Sequence, residues 1–251
     1  MTSMASDLAR ALDRGRWFAD ASYQPDAWQQ RAATSSSKRQ LWNVHRQGGK
    51  SLTAGVKAIA HACEEPGAPV LVIAPAMRQA AETIRTVAAL HSRVSGLPSI
   101  VNQSVHRVEL STGSRIISLP SSEGTIRGFS KVALLILDEA SRIPDEIIAA
   151  CRPMLAVSDG EMVALSTPRG MVGWFYEQWA NGGDGWERVR VPVTECPRIS
   201  AEFLEEEKRL LGPSVFNQEY LCEFVADDSQ VFPNEVIAAA FTSEVTPLWP
   251  Q

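Results

Sequence analysis

Three short stretches of this chain carry residue types suited to handling phosphate. In Asn43-Val44-His45-Arg46-Gln47-Gly48-Gly49-Lys50-Ser51, two glycines run into a lysine and a hydroxyl. Glycines at 48 and 49 let backbone come close to phosphates, and amides at a following helix start donate to their oxygens. Lys50 then neutralises charge on the β- and γ-phosphates, the Ser51 hydroxyl is a ligand for Mg²⁺, and Arg46 and Gln47 complete the nucleotide-contacting loop. The strict pattern G-x-x-x-x-G-K-[ST] would place its first glycine at position 44, where this chain has Val44. A bare G-K-S also fits a glycine turn that merely opens a helix. The apolar stretch before it and the helical pattern after it favour the phosphate loop.

The second stretch, Val132-Ala133-Leu134-Leu135-Ile136-Leu137-Asp138-Glu139-Ala140, sets two carboxylates at the end of a wholly apolar run. Asp138 suits the Mg²⁺ shell, directly or through water, and Glu139 suits a base that orients the attacking water. Neighbours on a strand point to opposite faces, so the two converge only if the chain bends between them. An isolated Asp-Glu could equally end a strand before Ser141-Arg142-Ile143-Pro144; the apolar run and the upstream loop weigh against that. The third stretch, Ala164-Leu165-Ser166-Thr167-Pro168-Arg169-Gly170, ends another apolar run in hydroxyls. Ser166 and Thr167 are coupling candidates beside the γ-phosphate, and Thr167-Pro168 also reads as a helix entry.

The elements that position these residues follow from periodicity. Leu41 to Val44, Val70 to Ala74, Val132 to Leu137 and Met162 to Leu165 read as strands, and Lys50 to Ala62 and Arg78 to Leu90 read as helices. Arg107 to Leu110 and Arg115 to Leu119 flank Ser-Thr-Gly-Ser as a hairpin. Strands alternating with helices predict an α/β fold: a mostly parallel sheet with helices on both faces and ligands at the carboxyl ends of the strands. Core structure is expected to begin near Arg39, after the polar tract Ala32 to Lys38. Beyond Trp186 the pattern changes to one short strand, Val189 to Val193, and two helical stretches, Ala201 to Leu211 and Ser214 to Phe224, expected to form a small helical lid. The expected division is therefore 1–185 for the core and 186–251 for the lid and the start of a linker.

Composition bounds the alternatives. At 251 residues, 45% hydrophobic and 21% charged, the chain suits one main globular domain. No run reaches the roughly 18 apolar residues of a membrane span, and the first residues lack a secretory pattern, so a cytoplasmic protein is expected. The four cysteines stand singly, predicting neither a zinc site nor a disulfide framework. A net charge of -5 argues against bulk electrostatic coating of nucleic acid and leaves only a local contact surface.

The ordered set R-Q-G-G-K-S at 46–51, L-I-L-D-E-A-S at 135–141 and L-S-T-P-R-G at 165–170 resembles the large terminase family of phage DNA-packaging motors. The resemblance implies a P-loop NTPase of the RecA-like class with a lid subdomain, using ATP and Mg²⁺ to drive double-stranded DNA into a procapsid. It implies a homo-oligomeric ring that can be a monomer when isolated, portal and small-terminase partners, and the cytoplasm of an infected bacterial host. Tyr23-Gln24-Pro25-Asp26-Ala27-Trp28-Gln29 resembles the family's adenine segment, with Gln29 reading the base. Arg46 matches an arginine thought to reach the phosphates. Arg127, in Gly124-Thr125-Ile126-Arg127-Gly128, matches a position that in some terminases enters the neighbouring subunit's site; a solvated loop arginine is the alternative. Such enzymes usually continue into a nuclease domain. With no acidic cluster for one before Gln251, the expectation is an ATPase domain alone, without endonuclease activity. The competing readings are a helicase-like ATPase, which would need a second RecA-like domain, and a nucleotide-switch assembly protein, which would not need Glu139. A small-molecule kinase is disfavoured because the Asp-Glu pair suits water activation.

Overall fold

The computed structural model describes residues 4–122, 126, 128–196 and 198–226. Its frame is an eight-stranded sheet of β1 (Arg39–Val44), β2 (Pro69–Ala74), β3 (Ile100–Ser104), β4 (Arg107–Leu110), β5 (Arg115–Pro120), β6 (Leu134–Asp138), β7 (Glu161–Ser166) and β8 (Glu187–Val191). Their spatial order is β3-β4-β5-β2-β6-β7-β1-β8. The six strands from β5 to β8 in that order run parallel, and β3 and β4 extend the sheet antiparallel. The hairpin read from Ser-Thr-Gly-Ser is the β4–β5 pair. The edge strand β3, exposed along most of its length, has no apolar alternation to announce it.

The period of two decides which helices cover which face. Trp42, Val44, Val70, Val72, Leu134, Ile136, Val163 and Leu165 point into one core with Val56 and Ile59 of helix α4 (Lys50–Glu64) and Ile84 and Val87 of helix α5 (Met77–Arg93). Leu41, Leu71, Ile73, Leu135, Leu137, Met162 and Ala164 point the other way. They pack with Ile147 and Ile148 of helix α6 (Asp145–Cys151) and Phe175 of helix α7 (Gly173–Asn181). A strand buried on both faces needs no polar alternation, and all five residues of β6 are buried.

One expectation needs correction. The core does not begin at Arg39: helices α1 (Met4–Leu12), α2 (Arg16–Asp20) and α3 (Ala27–Thr34) bring Trp17, Phe18 and Trp28 into it. Trp28 meets Trp42 edge to face, centroids 6.0 Å apart. Three short helices carry too few turns for a clear periodic signal, yet burying an aromatic is worth about 2–3 kcal/mol each, enough to dock them. The two C-terminal helical stretches are present as read: α8 (Ala201–Leu221) is two helices meeting at a kink at Gly212, whose φ of 74° and ψ of 165° are non-helical just before Pro213. The second of these helices packs Phe216 and Tyr220 against Val193 in a small separate cluster. Among the described residues no helix is long and apolar enough to cross a membrane, and the four cysteines form no disulfide with one another.

Candidate nucleotide site

The carboxyl ends of the adjacent strands β6, β7 and β1 bring the three motifs together. After Val44 the chain makes a tight loop in which Gln47 and Gly49 adopt positive φ of 62° and 89° before α4 begins at Lys50. A Cβ on Gly49 would lie 2.6 Å from Gln29 Nε2, and one on Gly48 would lie 2.6 Å from Val44 Cγ1. The valine that stands where the strict motif has glycine is thus accommodated by the glycine at position 48. The first-turn amides of α4 open at this loop, where the helix dipole favours an anion.

Lys50 is buried, with Nζ donating to the carbonyls of Val44 at 2.9 Å and His45 at 3.2 Å. Burial pushes its pKa down, and the nearby Glu139 and Asp138 carboxylates oppose that shift. Ser51 comes next on the same first turn, half-buried. Asp138 is buried at the end of β6, and its carboxyl is pushed up to about 6, by burial first and by Glu139 second, against the pull of Lys50. Thr83 of α5 donates its hydroxyl to the same carboxylate. The bend that the acidic pair required is present: Glu139 sits at φ 52°, ψ 48°, a left-handed conformation that costs a non-glycine residue about 1–2 kcal/mol. It starts the 3₁₀ turn Ala140–Arg142 and swings its carboxylate toward β7, where Ser166 donates to Oε2 at 3.3 Å. Ser166 and Thr167 are both buried.

The second half of α8 closes one side of the site. The Arg46 amide donates to the Glu219 carbonyl at 2.9 Å, and the Gly170 amide to Gln218 Oε1 at 2.9 Å. The Glu219 carboxylate lies 3.5 Å from the Arg142 guanidinium. Asn43 Nδ2, at the end of β1, donates to the Cys222 carbonyl at 3.0 Å. One stretch of helix therefore touches all three motif loops, beside a groove of about 870 Å³ lined by Ser141, Arg169, Gly170, Leu211, Val215 and Gln218, among others.

The structure gathers Lys50, Ser51, Asp138, Glu139, Ser166 and Thr167 at one end of the sheet, with Gly48 and Gly49 in the loop between. The side chains of Arg46 and Gln47 are exposed on that loop. Gln29 lies behind it, buried, with Nε2 donating to Thr53 Oγ1 at 3.1 Å and Oε1 accepting from the Asp26 amide at 2.9 Å. Its amide is engaged within the fold. Arg127 lies outside the described residues. Sequence reasoning missed Thr83, whose helix shows no motif, His45, inside the first motif stretch without a recognisable pattern of its own, and Arg142, just after the second. His45 is fully buried with Nδ1 2.6 Å from the Arg46 carbonyl, and burial lowers its pKa. Cys222 was also missed, because only the fold brings it under the loop.

The donor set suits a nucleotide triphosphate with a hard cation. Gly48 and Gly49 line a loop that Cβ atoms would obstruct, and Asp138 is a buried carboxylate beside a hydroxyl. Among the described residues no group of three or more His, Cys, Asp or Glu side chains could cage a metal. A cation held by Ser51, Asp138, phosphate oxygens and water matches how Mg²⁺ is usually bound.

Comparison with known proteins agrees with this geometry. The family model described as "Terminase large subunit, T4likevirus-type, N-terminal" matches residues 45–239. The terminase large subunit of Thermus phage G20c is 27% identical over 262 residues, covering 90% of this chain and 54% of the relative. That of Escherichia phage T5 is 26% identical over 196 residues, covering 75% and 44%. Among solved structures, the large terminase ATPase domain of Thermus phage P74-26 is 26% identical with a TM-score of 0.71, covering 83% of this chain and 97% of that one. The chain spans about half the length of the curated relatives it matches.

Proposed function

Because this chain belongs to the phage terminase large subunits, through their T4-like N-terminal domain, we propose that it hydrolyses ATP to drive double-stranded viral DNA into a procapsid. The observation that carries the reading is the convergence of a buried lysine at a helix start with two strand-end carboxylates, the second turned by a left-handed residue. Lys50 and the α4 amides hold the β- and γ-phosphates, with Arg46 and Gln47 above them. Ser51 and Asp138 are the residues that would hold Mg²⁺, which when bound supplies positive charge to the transferring phosphoryl group. Glu139 orients the attacking water and takes its proton. Gln29 reads the adenine, for which its amide must exchange at least one of its internal partners.

Ser166 and Thr167 sense the γ-phosphate, and the segment that follows β8, itself a strand of the main sheet, acts as the lid that passes the change on. The contacts of Gln218 and Glu219 with all three motif loops support that role. Arg127 serves a neighbouring subunit in a ring, with the portal protein, the small terminase subunit and DNA as partners in the host cytoplasm.

The test is Mg²⁺-dependent phosphate release from ATP across a range of protein concentrations, with and without duplex DNA. Turnover per subunit should rise with concentration, and Glu139→Ala should abolish it while leaving nucleotide binding intact. Wild-type turnover in that variant would refute the assignment. Mixing wild-type with Arg127→Ala subunits tests the neighbour's contribution, and full activity of the variant alone would remove Arg127 from the site.

A further inference from the structure

We propose that Ser141 is a positioning residue for Glu139, acting through the Ser166 hydroxyl. The inference rests on the hydrolytic role proposed for Glu139. Three contacts meet at Ser166 Oγ: the Ser141 hydroxyl at 2.7 Å, the Ser141 amide at 3.3 Å and Glu139 Oε2 at 3.3 Å. Proton counting gives these contacts a direction. A carboxylate only accepts, so the single Ser166 proton goes to Glu139, and the short contact with Ser141 must then be donated by Ser141. Ser166 is fully buried, so water cannot take over either bond.

The arrangement is built by the strand register. Asp138 pairs with Leu165 across the β6–β7 ladder, which sets Ser166 beside the residue after Asp138. The chain then folds back in the 3₁₀ turn, closed by the Arg142 amide on the Glu139 carbonyl at 2.9 Å, and this returns Ser141 to the same hydroxyl. A side chain on a left-handed residue has no regular-structure neighbours to hold it, so the relay supplies its orientation. Ser141 also lines the groove shared with Gly170 and Gln218, so the relay starts where the C-terminal helix meets the core.

Removing the Ser141 hydroxyl leaves Ser166 Oγ accepting only the longer bond from the Ser141 amide, so the hydroxyl that donates to Glu139 is held less firmly. Ser141→Ala should lower kcat by up to about tenfold, the upper end for a hydrogen bond between neutral groups, with the KM for ATP within about twofold. Ser141→Thr, which keeps the hydroxyl, should retain most of the rate, whereas the near-isosteric Ser141→Cys, a weak donor, should resemble alanine. Because Ser141 acts through Ser166, the Ser141→Ala/Ser166→Ala double variant should be no slower than Ser166→Ala alone. A wild-type kcat in Ser141→Cys, multiplying effects in the double variant, or a change confined to KM would each overturn the relay. Glu139→Ala run alongside separates the two claims. Turnover retained there refutes the hydrolytic reading itself, whereas an inactive Glu139→Ala with a fully active Ser141→Ala refutes only the relay.

Discussion

Helix α4 buries two lysines on one face, seven residues and about 10 Å apart, and treats them differently. Lys57 is fully enclosed and paired: Nζ lies 2.9 Å from Glu161 Oε2 and donates to the Ser35 carbonyl at 3.2 Å. His61 at 3.3 Å and Arg14 at 3.5 Å contact the other oxygen of Glu161, and Arg14 also grips Glu64. Lys50 is almost as buried, yet among the described residues it has no ion pair and donates only to carbonyls of its own loop. Burial lowers the pKa of both. The paired lysine cements the N-terminal helices and the start of β7 to the far end of α4. The other keeps its charge available to a ligand, and the fold bears the cost of leaving it so.

The contrast breaks most visibly at Lys50. Lys50→Ala should cut ATP turnover by about two to three orders of magnitude, while the nucleotide-free melting temperature stays level or rises. A large loss of stability would mean that Lys50 is structural too. Glu161→Ala should do the reverse, destabilising by about 3–5 kcal/mol by stranding Lys57, with the KM for ATP of the folded protein unchanged; urea denaturation reads the first and steady-state kinetics the second.

Acid sharpens the same point. Burial alone would raise the Glu161 pKa, but hydrogen bonding with His61 and the charge of Lys57 outweigh it and hold the carboxyl at about 2. That lies below the ordinary carboxylate value, so its stabilisation is complete above about pH 5 and fades as pH falls from 4.5 toward 2. The total is on the order of 3 kcal/mol. Urea midpoints measured from about pH 6 to about pH 3 should fall more steeply in the wild type than in Glu161→Gln. The smallest effect is expected at the exposed Arg198–Asp26 pair, where Arg198 Nη2 donates to Oδ2 at 2.7 Å. Arg198→Ala should cost less than about 1 kcal/mol by the same denaturation, as solvent screens an exposed pair.

The two lysines also mark how far the chain could be read before folding. Lys50 was legible because a phosphate loop is local: its glycines, lysine and hydroxyl are consecutive and sit between a strand pattern and a helix pattern. Lys57 was not, since its partners come from residues 35 and 161 and nothing near it in sequence signals a charge network. The same holds at the acidic pair. Asp138 and Glu139 were visible at the end of an apolar run, but their convergence needed a left-handed residue that no propensity predicts at glutamate. Trp17, Phe18 and Trp28 were missed as core because each belongs to a helix too short to show a period.

By itself the sequence determined the order of the strands and helices that carry the motifs, the parallel α/β architecture and the candidate phosphate loop and strand-end carboxylates, because periodicity and consecutive motifs depend on neighbours along the chain. Tertiary structure alone decided that Ser166 faces Glu139, that Thr83 reaches Asp138, that Gln218 and Glu219 touch the motif loops, and which buried lysine is neutralised. Those outcomes depend on strand register and on close packing between segments far apart in the chain, where an ångström of displacement makes or breaks a hydrogen bond.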